Sequence, residues 1–319
     1  MQAEPLITWP EPIIEYLGFL ATFCAVGAIG FRSFVLRGGL ARAAAADKAG
    51  LEIDRRIFDD AARRASIIGI IGVLVNAALL LYSASEQAAG KHIAIAQVLG
   101  SNTLNVLQVI FLVVAIVGFL LAIARISGGW PLAIIGVLAG NLRAIFLLRW
   151  ASLVNPVHEV AAGFWIGTLF VMLAAGISAV LRDEPARERR GAVVANLVNA
   201  FSPLALVSAA VLVLFGIITA WRHLHVLSNL WTTPYGWTLI VKLCLVALVF
   251  ALGAWNWRRQ RPTLGSEATA ISIRRSTRAE LTVAALVLAA TAALVSLPSP
   301  RAARTGAPLG TTSPAAPTP

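Results

Sequence analysis

Charged side chains are scarce in this sequence. Of its 319 residues only 13% are Asp, Glu, Lys or Arg, whereas 58% are hydrophobic, and the mean hydropathy is +0.80. A soluble domain needs a far more charged surface, so this scarcity excludes an ordinary soluble protein. The composition predicts an all-α integral membrane protein, a polytopic bundle of about eight transmembrane helices embedded in the lipid bilayer.

Residue types that carry catalysis or hold metals are also few: the chain has two Cys, two Met and four His. Cys24 and Cys244 lie within apolar runs, so they form neither a disulfide framework nor a zinc-type spacing. The sequence contains no nucleotide-binding loop of the Walker type and no visible hydrolytic or redox site. We therefore expect a protein that is not an enzyme and that binds no nucleotide.

Apolar runs predict eight spans. These cover residues 13–36, 65–85, 104–125, 131–149, 154–181, 197–221, 236–257 and 280–297. We expect one transmembrane domain, 1–297, and a disordered extracytoplasmic tail, 298–319, because the tail is rich in Pro, Ala, Thr and Ser. The first twelve residues carry no Lys or Arg, so the first span is expected to be retained rather than cleaved.

The basic residues alternate between loops. Of the 26 Lys and Arg residues, 18 fall in the odd-numbered loops, although the net charge of +11 could otherwise indicate a nucleic-acid partner. Short basic loops mark the cytoplasmic side of a membrane protein. We therefore predict a multi-pass protein of the bacterial inner (plasma) membrane with both termini outside the cytoplasm, no nucleic-acid partner, and a charged helix, 41–62, lying on the cytoplasmic face.

The fifth predicted span contains ionisable residues near its outer end. His158 and Glu159 lie less than two turns from its start, and ionisable groups inside a span face the bundle interior or water. At 100° per residue, His158, Trp165 and Met172 share one face of an ideal helix. Imidazole and thioether groups are both copper ligands, so the face is a candidate copper path. The alternative is an ordinary packed helix in which methionine fills a gap.

All four histidines fall on the predicted outer half. His223 and His225 lie in the sixth loop, where an extended segment would point both imidazoles the same way and let them capture one metal ion. The alternative is a pair of surface histidines. Tyr235 and several tryptophans surround these histidines, and such aromatic residues are typical of the interface between membrane and water.

Other polar groups lie deeper in the predicted spans. Asn141 lies midway along the fourth span, and Lys242 lies about two turns inside the seventh. A buried lysine needs a partner, so we predict an ion pair between Lys242 and Glu159. The thiols of Cys24 and Cys244 fall near mid-depth, where they could bind Cu(I) or serve as small apolar packing.

Three stretches carry a likeness to a known family. A histidine precedes a Trp-x-Gly turn between His158 and Gly167, Phe201-Ser-Pro-Leu-Ala-Leu enters the sixth span, and Thr232-Thr-Pro-Tyr-Gly leads to Lys242 and then Asn256-Trp-Arg and Pro262. Across roughly 130–297 the chain resembles the copper resistance protein D (CopD) family of bacterial inner-membrane proteins. The resemblance implies eight helices, copper ion transport in copper uptake or resistance, and a periplasmic copper carrier of the copper resistance protein C type as partner.

Two departures from that family bear on function. Asn141 stands where the family often has histidine, and Asn155 stands where it often has an acidic residue. Asparagine is a poorer copper ligand than imidazole. The leading hypothesis is an inner-membrane copper homeostasis protein that accepts or moves copper at the periplasmic face. The alternatives are a membrane redox protein holding b-type haem, which needs two facing axial histidines, and a scaffold or sensor without copper transport.

The predicted orientation has a direct test. A reporter that is active only outside the cytoplasm should work when fused after Ala316 and fail when fused near Ala192, because the basic loops stay on the cytoplasmic side. Activity of the two fusions is measured in whole cells at matched expression. The reverse pattern would contradict the orientation.

Overall fold

The computed structural model describes residues 9–46, 50–183, 187–224, 226–260 and 267–297. Across those ranges the chain is helical and has no β-strand. Its long helices are α1 (Glu11–Ala46), α2 (Leu51–Lys91), α3 (Thr103–Ile123), α4 (Gly129–Asn141), α5 (Trp150–Arg182), α6 (Arg190–Leu224), α7 (Pro234–Gln260) and α8 (Glu267–Ser296). Seven of them are long and apolar enough to cross a membrane, which confirms the predicted all-α polytopic membrane protein.

The exception is α4, which ends earlier than the predicted span 131–149. Its 13 residues give a length of about 20 Å, less than the roughly 30 Å of a hydrocarbon core. Beyond it the chain forms a 3₁₀ turn, Arg143–Leu147, and Phe146 stacks on Phe111 of α3 with 5.4 Å between ring centroids. Gly140 lies against the same Phe111, so the turn stays at the depth where α4 ends.

Nevertheless, α4 returns the chain to the end of the bundle at which it began. The helices α1 and α5 run parallel, because Gly163 lies against Val26 and Gly176 lies against Phe31 further along both helices. A parallel pair requires that α2, α3 and α4 together traverse the bundle an odd number of times. At that same end Tyr235 of α7 packs against Leu294 of α8. The start of α1 and the end of α8 therefore lie at one end of the bundle, which we name the starting end.

The helix α1 is the centre of the bundle. Its neighbours bury it along most of its length, whereas α6 and α7 expose most of theirs, as lipid-facing helices do. At the crossing of α1 and α5, a Cβ atom on Gly27 would overlap the backbone of Gly167, and one on Gly167 would overlap the carbonyl of Phe23. Small residues bring helix backbones into contact in membranes, where lipid removes the hydrophobic driving force for association.

At the other end, which we name the loop end, the helices extend past the membrane-spanning length. The 41 residues of α2 span about 60 Å, twice the thickness of a hydrocarbon core. Gly39 of α1 lies against Phe58 of α2 and Leu197 of α6, so these extensions share one apolar core. The prediction of a separate surface helix over 41–62 is therefore wrong. The described residues of this range belong to the end of α1 and the start of α2.

An ion pair fastens this extension. The side chain of Asp54 is only 2% exposed, and both of its carboxylate oxygens accept hydrogen bonds from Arg189, at 3.2 Å from Nε and 3.1 Å from an Nη atom. The segment holding Arg189 joins α5 to α6, so the bidentate pair ties the start of α2 to that connection. Bidentate geometry fixes orientation as well as distance.

The ion pair predicts strong coupling between its members. Asp54→Asn and Arg189→Met should each lower the free energy of unfolding by roughly 1.5–3 kcal/mol, because each removes the charge-assisted hydrogen bonds of the pair. The double variant should lose less than the sum of the two single losses. Unfolding in detergent micelles measures all three variants, with Arg55→Met, which removes an exposed arginine of the same helix, as the control. Additive losses would show that the pair does not stabilise the extension.

Candidate functional site

His158 lies where α5 meets α6. A 3₁₀ turn, Trp150–Leu153, opens α5, and the α-helix proper starts at Val154, which places His158 in its second turn. The imidazole is partly buried and lies against Gly216, where an added Cβ would come within 3.1 Å of ring atom Cε1. Glycine at this position of α6 therefore makes the room that the ring occupies.

The ring has unused bonding capacity. Its Nδ1 atom is shielded from solvent and has no hydrogen-bond partner of good geometry within the described ranges, although the carbonyl of Leu212 in α6 lies nearby. Most buried polar atoms are hydrogen-bonded, so an unsatisfied imidazole nitrogen calls for an explanation. Such a nitrogen is the atom with which a neutral histidine binds a transition metal.

Two polar contacts fix how α5 and α6 align beside this ring. The hydroxyl of Thr219 donates to Oδ1 of Asn155 at 3.1 Å, and Nη1 of Arg222 donates to the carbonyl of Ala151 at 2.8 Å. Asn155, one of the two departures from the family pattern, therefore has a structural role as an acceptor between helices. These contacts hold His158 about two turns inside the starting end of the bundle.

Lys242 of α7 is the charged residue that acts electrostatically on His158. It is partly buried. Among the described residues it has neither a hydrogen bond nor an ion pair. The predicted ion pair between Lys242 and Glu159 is therefore wrong, because adjacent residues on a helix point to different neighbours and Glu159 faces away from α7.

Glu159 instead faces α1. Its carboxylate lies within hydrogen-bonding reach of the Thr22 hydroxyl, which also accepts a 3.5 Å bond from the amide of Asn76 in α2. The guanidinium of Arg143 and the carboxylate of Glu15 both act on it electrostatically. The basic neighbour of Glu159 is therefore Arg143, whereas the sequence had predicted Lys242.

The end of α4 supplies Arg143 but no metal ligand. Nη1 of Arg143 donates to the carbonyl of Gly140 at 2.9 Å, which folds the side chain back over its own helix end. The amide of Asn141 likewise donates to the carbonyl of Val137 at 2.8 Å, one turn earlier in α4. Asn141 is therefore satisfied within α4, and the structure shows no contact between it and His158.

The aromatic candidates Trp165 and Tyr235 lie where α5 and α6 contact α7. Trp165 packs on Phe250 with 4.8 Å between ring centroids, which joins the middle of α5 to α7. His223 belongs to the last turn of α6 rather than to the predicted loop, and its ring lies 5.9 Å from that of the buried Tyr235. His225 lies outside the described residues.

The sulfur candidates are not brought together. Cys24 lies at the contact of α1 with Gly72 of α2, Cys244 is exposed on α7, and Met172 is 2% exposed in the main core. Where the chain is described, no group of three or more His, Cys, Asp or Glu side chains could hold a metal ion. Sulfur and imidazole ligands are therefore separated in this structure.

His158, Trp165 and Met172 were predicted to share one face of an ideal α-helix, but α5 is not an ideal α-helix. Two π-helical segments, Gly163–Gly167 and Met172–Ile177, interrupt α5. Their hydrogen bonds span five residues and change the rotation per residue. His158 and Trp165 keep contacts with α6 and α7 respectively, whereas Met172 belongs to the core. Gly216 and Thr22 were missed, because neither stands out in an apolar run of sequence.

The position of Glu159 predicts which basic residue it is energetically coupled to. Glu159→Gln and Arg143→Met should interact by roughly 0.5–3 kcal/mol in a double-mutant cycle of unfolding in micelles. Glu159→Gln and Lys242→Met, the matched control pair, should be additive, since Glu159 faces α1 and Lys242 faces His158. Coupling of Glu159 to Lys242 and not to Arg143 would contradict this placement.

Two comparisons with known proteins found a similarity. Residues 195–294 match the family model described as "Copper resistance protein D", which covers α8 to Leu294, all of α7 and nearly all of α6. Over 151 residues the chain is 28% identical to copper transport protein CutJ of Bacillus subtilis (strain 168), a match that takes in 46% of this chain and 25% of that protein. No solved structure matches. The family match and the relative confirm the predicted resemblance to the copper resistance protein D family, and the family match lies on α6, α7 and α8.

Proposed function

We propose that this protein handles copper at the extracytoplasmic face of a bacterial inner membrane, with His158 as the ligand that accepts the ion. The family match and the name of the relative support copper transport or resistance in general terms. The matched helix α6 contributes Gly216, which lies against His158, and the matched helix α7 contributes Lys242, whose charge acts on the imidazole, although the histidine itself precedes the matched segment. Copper is the transported substrate in this proposal, not a resident cofactor.

One observation carries the proposal. The imidazole of His158 lies against Gly216 of α6 with a solvent-shielded Nδ1 atom that has no well-formed hydrogen bond in the described structure. The carbonyl of Leu212 in α6 lies near the ring without completing a hydrogen bond of good geometry, so a nitrogen of the imidazole stays available to a ligand. Copper binds imidazole nitrogen well, so the unsatisfied atom suits a ligand that collects a passing ion.

His223 extends the site toward the starting end. It follows Gly216 by seven residues, two turns of α6, so it lies on the same face roughly 10 Å further along the helix. Copper would be captured near His223 and His225 and then pass to His158. Cys24 and Met172 lie at other helix contacts, so we do not extend the path to them.

The orientation and partner belong to the same proposal. The start of α1 and the end of α8 share the starting end of the bundle, while the arginine-rich extensions lie at the loop end. The basic loop end would face the cytoplasm, which leaves His158 and both termini on the outside. A periplasmic copper carrier of the copper resistance protein C type, implied by the family resemblance, would deliver the ion there.

The haem alternative has less support from the geometry. Two axial histidines must face each other at one depth to ligate a single iron. His158 and His223 are offset by roughly 10 Å along the bundle, and His92 caps the exposed end of α2. The remaining alternative is a scaffold without copper transport, in which His158 would not be needed for copper accumulation.

We expect His158→Ala to abolish copper-dependent accumulation in cells while the protein still inserts normally. His223→Ala with His225→Ala should only raise the copper concentration required, because these residues collect the ion without forming the binding point. His92→Ala, which removes an exposed histidine at the end of α2, is the matched control and should have no effect. Cellular copper is measured at equal membrane expression. Unchanged accumulation in His158→Ala would refute the transport role and favour the scaffold.

A further inference from the structure

The connection between α4 and α5 contains an irregular turn, residues 142–150, which we name the α4–α5 turn. Phe146 in this turn stacks on Phe111 of α3 with 5.4 Å between ring centroids. Phe111 comes about 12 Å after the start of α3, a helix whose 21 residues just cross a hydrocarbon core. The turn at Phe146 therefore lies at the depth of the hydrocarbon core and not among the lipid headgroups.

The rest of the chain leaves much of this turn uncovered. Phe146 is 56% exposed and Leu148 is 71% exposed. Among the described residues, no backbone amide donates to the carbonyl of Phe146 or to that of Leu147. Lipid offers no donor to a carbonyl, so irregular backbone at this depth is tolerated only where protein or water covers it. Water is a poor cover for large apolar side chains, which favours protein.

Leu148 also has a strained backbone. Its φ is 52°, in the left-handed region that a leucine rarely adopts. The turn closes around it, because the amide of Arg149 donates to the carbonyl of Ala144 at 3.1 Å. Glycine adopts this conformation without strain, yet the position holds a large side chain that its own chain leaves exposed. Strain of this kind is retained where it serves a function, which points to a contact of Leu148 with another molecule.

We propose that a second copy of this chain covers the α4–α5 turn, so that the protein is a two-fold symmetric dimer in the membrane. A soluble partner would have to enter the bilayer to reach Phe146. A second copy suits the turn because acceptors and donors lie in one patch: the carbonyls of Phe146 and Leu147 lie close in sequence to the exposed side chains of Arg149 and Trp150. In a two-fold interface the donors of each copy face the acceptors of the other. Arginine and tryptophan are also enriched in protein interfaces.

The first test counts subunits of the full chain in vesicles of phosphatidylethanolamine and phosphatidylglycerol. Single-molecule photobleaching of labelled protein, diluted stepwise in lipid, should show wild-type dimers that dissociate at high dilution. Leu148→Arg should weaken dimerisation at least about a hundredfold, because like charges then oppose each other across the interface. Ile217→Arg, the matched control, changes a similarly exposed apolar residue of α6 and should leave the dimer unchanged.

A glycine variant separates the backbone strain from the contact. Leu148→Gly relieves the left-handed conformation, so thermal unfolding of the monomer in detergent should occur at the same or a higher temperature. The dimer should nevertheless weaken about tenfold in vesicles, because the packing of two leucine side chains is lost at once. Unchanged dimerisation of Leu148→Gly would show that the side chain only faces lipid.

Cross-linking in native membranes covers the case in which Leu148→Arg does not fold. Leu148→Cys, in a chain that also carries Cys24→Ala and Cys244→Ala, should give a covalent dimer with a short bismaleimide, whereas Ile217→Cys should not. Three results would each overturn the interface: a wild type that is monomeric at every dilution, dimers as strong in Leu148→Arg as in Ile217→Arg, and equal cross-linking of the two cysteine variants. The dimer does not rest on copper binding, so none of these results bears on the role of His158.

Discussion

The backbone contact between α1 and α5 is the constraint on which the rest of this structure depends. Gly27 and Gly167 bring the two helices so close that neither position has room for a Cβ atom. In a bilayer, lipid competes with apolar side chains equally well, so close packing of small residues is what holds helices together. The contact fixes how α5 is rotated, and that rotation decides which neighbours each of its polar residues meets.

The rotation separates two adjacent ionisable residues. Glu159 lies near Thr22 and Arg143 on the α1 side, whereas His158 lies against Gly216 on the α6 side and is affected by the charge of Lys242. Isolated charges inside a membrane are costly, so a carboxylate with a basic neighbour is the expected arrangement. On the opposite side, His158 lies against Gly216 of α6, and we place the proposed copper ligand there.

The segment that matches the family and the segment that holds the candidate ligand are different parts of the chain. The family match covers α6 to α8, which contribute Gly216 and Lys242, while His158 comes from α5 before the matched segment. The relative's match covers only a quarter of its own length, so the activity of that whole protein is not carried over.

Hydropathy predicted the helices well because of what the bilayer requires. Every segment that spans it must be apolar and must satisfy its backbone hydrogen bonds within the helix. It failed at α4, where Ile145 to Leu148 continue the apolar run but Phe146 stacks back on Phe111. It also gave His223 to a loop, although α6 continues to Leu224. Helix ends depend on packing and caps, which a run of apolar letters does not record.

Sequence alone determined that the chain is a polytopic helical membrane protein, resembles the copper resistance protein D family, and has His158 and Lys242 as ionisable residues within spans. Only the tertiary structure decided their partners. Pairing Lys242 with Glu159 was reasonable by depth, but depth leaves rotation about the helix axis open. Helix crossings at glycines and the two π-helical segments of α5 set that rotation, and both arise from contacts between distant parts of the chain.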